Sequence, residues 1–379
     1  MTNRITTLKV TKVNSKGEIQ AETIQMGELR LHSSGVFSNV YSAKIVAPLK
    51  RTVAIKKTWP DKKDNREVPI LRKLHHPNIV RLLYYYDTVT VTRQLCLSLV
   101  FEFVPTTIYQ QQKRGNVYPN EAATQLEIKV WSYQMWLALA YLKKKQLCHR
   151  DVKPQNLLLH RRKGIVKLAD FGSAKLLDTP SAQHNTYQVT RYYRAPELIL
   201  NHKNYGVEID TWAAGCVLGQ MLRKGKTIFA GKNNKDQLFR IMTVLGSPTN
   251  NDIKAMNPTY ETRAVPSILK INAMPWTQII SDAPELALDL MAKVLVYNPK
   301  QRLTPTEACT HSYYNVLRAQ NLKLPNGEPI PLTSEQLIPL VESESEESQT
   351  TTSSSSPNPT KNTRNSEHHS SPSSTQDEQ

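Results

Sequence analysis

A short polar stretch in the middle of the chain, residues 149–156 with the sequence HRDVKPQN, has side chains whose types and spacing suit phosphoryl transfer. Such a transfer needs a carboxylate that accepts the proton of an attacking hydroxyl and an oxygen ligand that holds Mg²⁺ nearby. Asp151 suits the first task, and Asn156, five residues later, suits the second. Lys153 lies between them and can neutralise negative charge on the transferred group. Because the stretch follows a long helical pattern, we interpret it as a catalytic loop.

Three further charged residues complete a set for holding a nucleotide and its metal ion. Asp170 opens the sequence DFG directly after a β-like run, and its carboxylate can bind Mg²⁺. Lys56 lies near the end of the β-like run from Thr52 to Lys57, and Glu67 follows eleven residues later at the start of a predicted helix. Taken alone, these two residues predict only a surface ion pair worth less than about 1 kcal/mol. The chain order Lys, Glu, Asp, Asn, Asp favours a phosphate-binding lysine with a carboxylate partner.

The hydrophobic pattern divides the positioning elements into a β-rich first part and a helical second part. The predicted strands are Ile5 to Val13, Val40 to Val46, Thr52 to Lys57, Val80 to Tyr86 and Leu95 to Val104. The predicted helices are Arg66 to Leu74, Gln125 to Leu142, and stretches near 208–224, 234–245, 284–296 and 305–317. This order predicts an α+β fold of two lobes, with a small β-rich lobe, a larger helical lobe and a ligand cleft between them.

Composition and charge restrict the class of protein further. The chain has 379 residues and a formal net charge of +17, an excess that normally raises nucleic acid or an anionic membrane as a partner. Its four cysteines are too far apart in the sequence for a metal site or a disulfide framework, which predicts an intracellular protein of the cytoplasm, the nucleus or both. No apolar run approaches the roughly 20 residues of a membrane span, and we find no nucleic-acid recognition motif.

The last 39 residues, 341–379, differ from the rest of the chain. They contain 12 Ser and 6 Thr, and a net charge of −5 leaves +22 on residues 1–340. With one aliphatic side chain and no aromatic ring, the segment cannot bury enough apolar surface to order itself. We predict a disordered tail, which serves either for solubility alone or as a target of phosphorylation.

Over about residues 28–317 the chain resembles a eukaryotic protein kinase. The sequence RYYRAPE at 191–197 is similar to the CMGC group of kinases. Within that group HRDVKPQNLLL at 149–159, DFGSAK at 170–175 and LKLPNG at 322–327 resemble the glycogen synthase kinase 3 (shaggy-like) family. The resemblance implies an N-terminal extension over 1–27, a kinase domain over 28–317 with its lobe boundary at about 103/104, and a C-terminal extension over 318–340 packed on or near the larger lobe. It also implies that Glu197 pairs with Arg302 and that Asp210 braces the catalytic loop.

The resemblance implies a Ser/Thr protein kinase that uses ATP and Mg²⁺, with Asn156 and Asp170 as metal ligands. Lys56 and Glu67 join Asp151 and Lys153 in the catalytic set. The residues implied to contact the nucleotide are Gly35, Val40, Ala54, Lys56, Phe101, Glu102, Val104, Gln155, Asn156, Leu158 and Asp170. Phe101 corresponds to the gatekeeper at the back of the adenine site, and the residues after it correspond to the hinge.

The same resemblance implies a preference for protein substrates that already carry a phosphate four residues C-terminal to the target. The family's three phosphate-binding cations fall on Arg66, Arg150 and Lys175. Considered singly, each of these is as well explained as a solvated surface charge. Tyr187 matches the family's phosphorylated activation-segment tyrosine.

Two departures from the family pattern bear on activity and partners. Of the glycines in the phosphate-binding loop only Gly35 is present, which predicts a working but weaker nucleotide site. Arg263 and Val265 replace bulky apolar residues of the family's scaffold-binding loop, so we expect weaker binding of its usual scaffold proteins. The alternatives are a catalytically weak kinase fold that acts as a scaffold, a nucleic-acid-binding protein, and a cyclin-dependent or mitogen-activated type of CMGC kinase.

Overall fold

A computed structural model describes residues 5–35, 38–59, 66–89, 93–114, 121–177, 190–260 and 270–337. The predicted sites Tyr187, Arg263 and Val265 and the tail 341–379 lie outside these residues. Among the described residues, no helix has both the length and the apolar character needed to cross a lipid bilayer.

The N-terminal part is a closed barrel of antiparallel strands. The strands are β1 (Thr6–Val13), β2 (Ile19–Ser34), β3 (Ser38–Ala47), β4 (Arg51–Thr58), β5 (Leu82–Val89) and β6 (Leu95–Glu102). They pair in the order β1-β2-β3-β4-β6-β5, and β1 closes the barrel by pairing with both β2 and β5. Alternation along β4 buries Val53 and Ile55 completely in the barrel core. The residues of β4 that alternate with Val53 and Ile55 face away from the barrel core.

Strand β2 is absent from the sequence-based prediction. It spans 16 residues, most of them half-buried or exposed, so the period-two alternation of a one-sided strand is weak. Its pairing with β3 shifts register at three places, and Glu28 beside one of them has a φ of 55°. The predicted domain boundary at residue 28 lies inside this strand, and β1 before it belongs to the same barrel.

The turn between β1 and β2 contacts the first helix, α1 (Glu67–Arg72). The backbone carbonyl of Gly17 accepts a hydrogen bond of 3.0 Å from Nε of Arg72. Gly17 has a φ of +80°, and a Cβ added to it would collide with the carbonyl oxygen of Arg72. A glycine is therefore required where this turn meets the helix.

The C-terminal part is helical. Its helices are α2 (Ile108–Arg114), α3 (Glu121–Lys144), α4 (Pro196–Ile199), α5 (Glu208–Leu222), α6 (Asn234–Leu245), α7 (Asn250–Met256), α8 (Trp276–Ile279), α9 (Glu285–Val294), α10 (Pro305–Thr310) and α11 (Ser334–Leu337), and a 3₁₀ helix covers Ser312–Arg318. The helices α3 and α5 form its core, where Trp136 and Trp212 are fully buried. Near the end of the described chain, the hydroxyl of Tyr133 in α3 donates to the carbonyl of Gln336. The fold is α+β and bilobal, as predicted.

Short strands frame the predicted catalytic loop. A three-stranded sheet joins β7 (Thr106–Thr107), β9 (Leu157–His160) and β10 (Ile165–Leu168), and a second ladder joins β8 (Leu147–Cys148) to β11 (Lys175–Leu176). The first sheet also contacts the chain that leads into β5, because the N–H of Val80 donates to the carbonyl of Leu168 at 2.9 Å. The loop after β8 and the loop after β10 are thereby brought side by side.

Candidate active site

A buried carboxylate holds the loop of residues 149–156 in place. Asp210 lies in the first turn of α5 and accepts hydrogen bonds from the backbone N–H of His149 at 2.6 Å and of Arg150 at 2.8 Å. Burial raises the pKa of this carboxyl, and the charge and backbone donors of His149 oppose the rise. Arg150 has a φ of 65°, so the chain turns sharply just before Asp151. The loop therefore presents Asp151 in a fixed orientation.

The carboxylate of Asp151 is bonded to three side chains. Its Oδ2 accepts hydrogen bonds from Nζ of Lys153 at 2.6 Å and from Nδ2 of Asn156 at 2.9 Å. Its Oδ1 accepts one of 2.8 Å from the hydroxyl of Thr190, and that hydroxyl in turn accepts from Lys153 at 3.2 Å. Asn156 also donates to the backbone carbonyl of Asp151 at 2.8 Å. These contacts fix the carboxylate and place a cation and a hydroxyl beside it.

A second ion cluster lies across from the loop. Nζ of Lys56 in β4 lies 2.8 Å from each carboxylate oxygen of Glu67 in α1 and 2.7 Å from Oδ1 of Asp170. Burial acts to lower the pKa of Lys56, but the charges of the two carboxylates outweigh it and raise the pKa, so the lysine is charged at neutral pH. The pKa of Asp170 falls because the charge of Lys56 outweighs the effect of burial.

The DFG sequence explains the position of Asp170. Phe171 is buried, and its ring packs edge-on against His149 with the centroids 4.8 Å apart. His149 Nε2 also lies 3.0 Å from the carbonyl oxygen of Ala169. Asp170 has a φ of 66°, a conformation that short polar residues tolerate best among side-chain-bearing residues. The aromatic anchor and the turn together direct the carboxylate of Asp170 toward Lys56.

The family model of the protein kinase domain matches residues 29–314. The chain belongs to the protein kinase family. Its chemistry is accordingly phosphoryl transfer from ATP to protein substrates, typically with a divalent metal ion. The match begins inside β2 and ends in the 3₁₀ helix that follows α10.

The residues of this kinase fit a magnesium nucleotide. Nδ2 of Asn156 is committed to Asp151, which leaves its amide oxygen as the atom suited to a metal. The Asp170 side chain is 45% exposed, so one carboxylate can serve both Lys56 and a metal. Oxygen ligands of this kind match the preference of Mg²⁺. Gly172 leaves room beside them, since a Cβ there would lie 3.4 Å from both Asp170 Oδ1 and Lys56 Nζ.

Strand register places the predicted adenine-site residues of the kinase near one another. Val40 in β3 pairs with Lys56, and Ala54 in β4 pairs with Phe101 in β6. Phe101 is buried, and Leu158 in β9 is half-buried and packs against the same hydrophobic core as Ala54. The barrel and the three-stranded sheet thus supply apolar side chains from both lobes.

The predicted hinge lies at the end of β6. The backbone N–H of Glu102 donates to the carbonyl of Arg81 at 3.2 Å, and its carboxylate lies 3.0 Å from Lys167. Val104, after Glu102, is half-buried, and Gln155 is an exposed residue of the catalytic loop.

The glycine-poor loop is closed by hydrogen bonds between β2 and β3. The N–H of Gly35 donates to the carbonyl of Ser38 at 2.9 Å, and the hydroxyl of Ser34 donates to the side-chain oxygen of Asn39 at 2.8 Å. Residues 36–37 lie outside the described part of the chain. One backbone bond and one side-chain bond therefore join the two strands where the family pattern has a glycine-rich loop.

Two of the three predicted phosphate-binding cations lie on adjoining segments. Lys175 in β11 pairs with Cys148 in β8, two residues before Arg150. Arg150 Nε donates to the carbonyl of Ser173 at 2.6 Å, and its Nη1 donates to the hydroxyl of Tyr205 at 3.2 Å. Arg66 is exposed and immediately precedes Glu67 at the start of α1.

Two contacts of this site have no signal in the sequence pattern. The contact of Thr190 with Asp151 joins residues 39 positions apart and depends on the fold of the activation segment. Tyr205 is buried and holds the guanidinium of Arg150, although no motif includes it. The predicted pair of Glu197 and Arg302 is confirmed, at 2.6 Å.

Proposed function

We propose that this kinase is a serine/threonine kinase that uses ATP and Mg²⁺ and favours substrates carrying a phosphate C-terminal to the target residue. The observation that carries the first part is the hydrogen bond of 2.8 Å between the Thr190 hydroxyl and Asp151 Oδ1. An aliphatic hydroxyl on a β-carbon reaches the carboxylate directly, and a substrate serine or threonine presents the same group.

In the proposed mechanism, ATP would supply the phosphoryl group, and Mg²⁺ would neutralise the negative charge of its phosphates. Asp151 orients the substrate hydroxyl and accepts its proton at a carboxylate oxygen. Lys153, 2.6 Å from that carboxylate, stabilises the negative charge that develops on the transferred group. Asn156 and Asp170 would hold the metal through oxygen atoms. Lys56, kept charged by its two carboxylate partners, binds the phosphates that do not react.

The preference for a primed substrate rests on Arg66, Arg150 and Lys175. Guanidinium groups bind phosphate through paired hydrogen bonds, and a lysine adds a compact charge. The ladder between β8 and β11 supports this proposal for Arg150 and Lys175, because it aligns their segments beside the catalytic loop. We further propose that Tyr187 is phosphorylated and that the catalytic domain comprises residues 28–317 together with the preceding hairpin of β1 and β2, which completes its barrel.

The alternative of a catalytically weak scaffold is motivated by the loop that keeps only Gly35. The hydrogen bonds at the ends of this turn favour the active enzyme, since they join β2 to β3 on either side of the glycine-poor segment. The full set of Lys56, Asp151, Asn156 and Asp170 favours it as well.

The proposed function is tested by initial rates of ³²P transfer from labelled ATP to a matched peptide pair. The two peptides differ only in a phosphoserine four residues C-terminal to the target serine. We expect faster transfer to the primed peptide, and a loss of about 10²- to 10⁴-fold in Asp151→Asn. Arg66→Ala is expected to remove the preference while keeping the rate on the unprimed peptide. Lys73→Ala, an exposed cation at the other end of α1, is the control and is expected to behave as wild type.

Two results would contradict the proposal. Equal rates for Asp151→Asn and wild type would exclude the assigned chemistry. Equal rates on the two peptides with wild-type enzyme would exclude the priming preference while leaving the kinase assignment intact.

A further inference from the structure

A polar cavity of about 300 Å³ opens on the N-terminal barrel, among β1, the β1–β2 turn and the first residues of β4 and β5. Its polar lining residues are Lys12, Asn14, Ser15, Arg51, Arg81 and Tyr84. None of these belongs to the active site described above. No carboxylate is among the residues that line it. The cavity therefore brings together three cations and the Ser15 hydroxyl. Asn14 donates to the carboxylate of Glu18 at 2.6 Å, and Tyr84 donates to that of Glu22 at 3.5 Å.

The charges of this cavity are only partly balanced. Lys12 pairs with Glu22 at 2.6 Å. Among the described residues, neither Arg51 nor Arg81 makes an ion pair, although both line the same cavity. The excess positive charge lines a concave surface. A cleft lined by one sign of charge concentrates the electrostatic potential and attracts an anion more strongly than a flat surface does.

Arg51 provides a second, independent sign of a missing ligand. Its Nε is buried and has no hydrogen-bond acceptor among the described residues. Its guanidinium carbon lies 5.7 Å from the centroid of the Tyr84 ring, and its Nη2 lies 3.5 Å from the Tyr84 hydroxyl. Stacking of this kind orients the planar group. A buried donor without an acceptor is costly, and a small shift of the Arg51 side chain toward an oxygen atom in the cavity would satisfy it.

We propose that this cavity binds a phosphomonoester dianion, and we call the cavity the barrel anion site. A dianion with three terminal oxygens on the phosphorus can accept hydrogen bonds from both arginines and from the hydroxyl of Ser15 at once. A carboxylate carries one charge and two oxygens, and would leave one arginine unpaired. The volume lies at the lower end for small-molecule sites, so it suits a phosphorylated side chain or a small phosphate ester and not a nucleotide.

The experiment follows the Arg51 side chain itself, so that phosphate bound at the active site does not obscure the result. The Nε–Hε signal of Arg51 is assigned in the nitrogen–proton correlation spectrum of the full chain by its disappearance in Arg51→Gln. Phosphoserine is titrated at constant ionic strength, with serine and sodium chloride as controls. We expect a saturable shift of the Arg51 signal with phosphoserine alone.

Variants separate a built site from general attraction to a basic surface. Arg81→Gln, which removes one wall of the cavity, is expected to raise the dissociation constant roughly tenfold, the loss of one charge-assisted hydrogen bond. Arg93→Gln, an exposed arginine that does not line the cavity, is expected to leave it unchanged. Arg51→Lys keeps the charge and shows by circular dichroism that the fold survives changes at this position.

The source of the phosphate is decided by two further titrations, with a phosphoserine peptide and with glycerol 2-phosphate. Tighter binding of the peptide supports a protein ligand, and tighter binding of glycerol phosphate supports a small metabolite. The proposal is overturned if the Arg51 signal does not move, if chloride moves it equally, or if Arg81→Gln and Arg93→Gln have the same affinity as wild type.

Discussion

The buried pair of Glu197 and Arg302 provides the sharpest test of how the helical lobe is held together. Arg302 donates to the two carboxylate oxygens of Glu197 at 2.6 and 2.7 Å, and the two side chains are 0% and 1% exposed. The guanidinium also donates to the carbonyl of Val296 at 2.9 Å and lies 5.0 Å from the Trp212 ring. We predict that Glu197→Gln, which keeps the shape but removes the charge, strongly destabilises the kinase.

The magnitude follows from what the substitution leaves behind. Removing one partner of a buried ion pair costs about 3–5 kcal/mol, because the remaining charge stays out of water without compensation. Arg302 keeps its bonds to the backbone carbonyls of Val296 and Tyr297, and the new amide still offers one acceptor oxygen. We therefore expect a loss near the lower limit, about 3 kcal/mol. For a domain of this size that loss corresponds to a fall in melting temperature of roughly 5 °C.

The assay is thermal unfolding followed by circular dichroism at one scan rate, with an exposed ion pair as the control. Arg240 lies 3.4 Å from Asp236 on the surface of α6, with the arginine half-exposed. We expect Arg240→Gln to cost less than about 1 kcal/mol, since water screens exposed pairs. The double variant Glu197→Gln with Arg302→Met removes both buried charges, and its loss is expected to be smaller than the sum of the two single losses.

The reasoning is refuted if Glu197→Gln melts no lower than Arg240→Gln. It is also refuted if the double variant loses as much stability as the two single variants together, because the two charges would then not stabilise each other.

Three further predictions concern other parts of the fold. Burial lowers the pKa of His76 to about 4, below its unfolded value of 6.5. The stability that depends on neutral His76 should therefore be fully present above pH 6.5 and be lost as the pH drops toward 4. In urea unfolding at pH 7.5 and 5, His76→Gln should show a smaller fall in the free energy of unfolding than wild type. Gly17→Ala should lower the melting temperature more than Gly327→Ala. Both glycines have a positive φ, but an added Cβ would collide with a neighbouring atom at Gly17 and would meet no atom within 4 Å at Gly327. Lys56→Met leaves two carboxylates without their cation, so its loss of stability relative to wild type should be larger at pH 7 than at pH 4.5 in the same urea assay.

Much of the active site could be predicted from the sequence because its motifs are short and local. The loop of residues 149–156 carries three of the side chains that meet at the Asp151 carboxylate, and their spacing alone brings them together. The contact of Lys56 with Glu67 was predicted from a strand, a helix and a separation of eleven positions in the sequence. The roles assigned to these residues in catalysis remain predictions.

The features that the sequence did not predict depend on tertiary contacts. Strand β2 is exposed over much of its length and interrupted by register shifts, so no hydrophobic alternation marks it. Its existence follows only from pairing with β1 and β3, which together close the barrel. The bond from Thr190 to Asp151 likewise requires the activation segment to return to the catalytic loop.

Because a hydrogen bond joins the β1–β2 turn to α1, the N-terminal hairpin affects the stability of the ion pair between Glu67 and the catalytic lysine. A helix of six residues is too short to be stable by itself, so α1 takes its position from its neighbours. Any outward swing of α1 that separates Glu67 from Lys56 must also break the bond of Arg72 to Gly17 or carry the hairpin with it. The hairpin thereby shifts the conformational equilibrium of the small lobe toward the ion-paired arrangement.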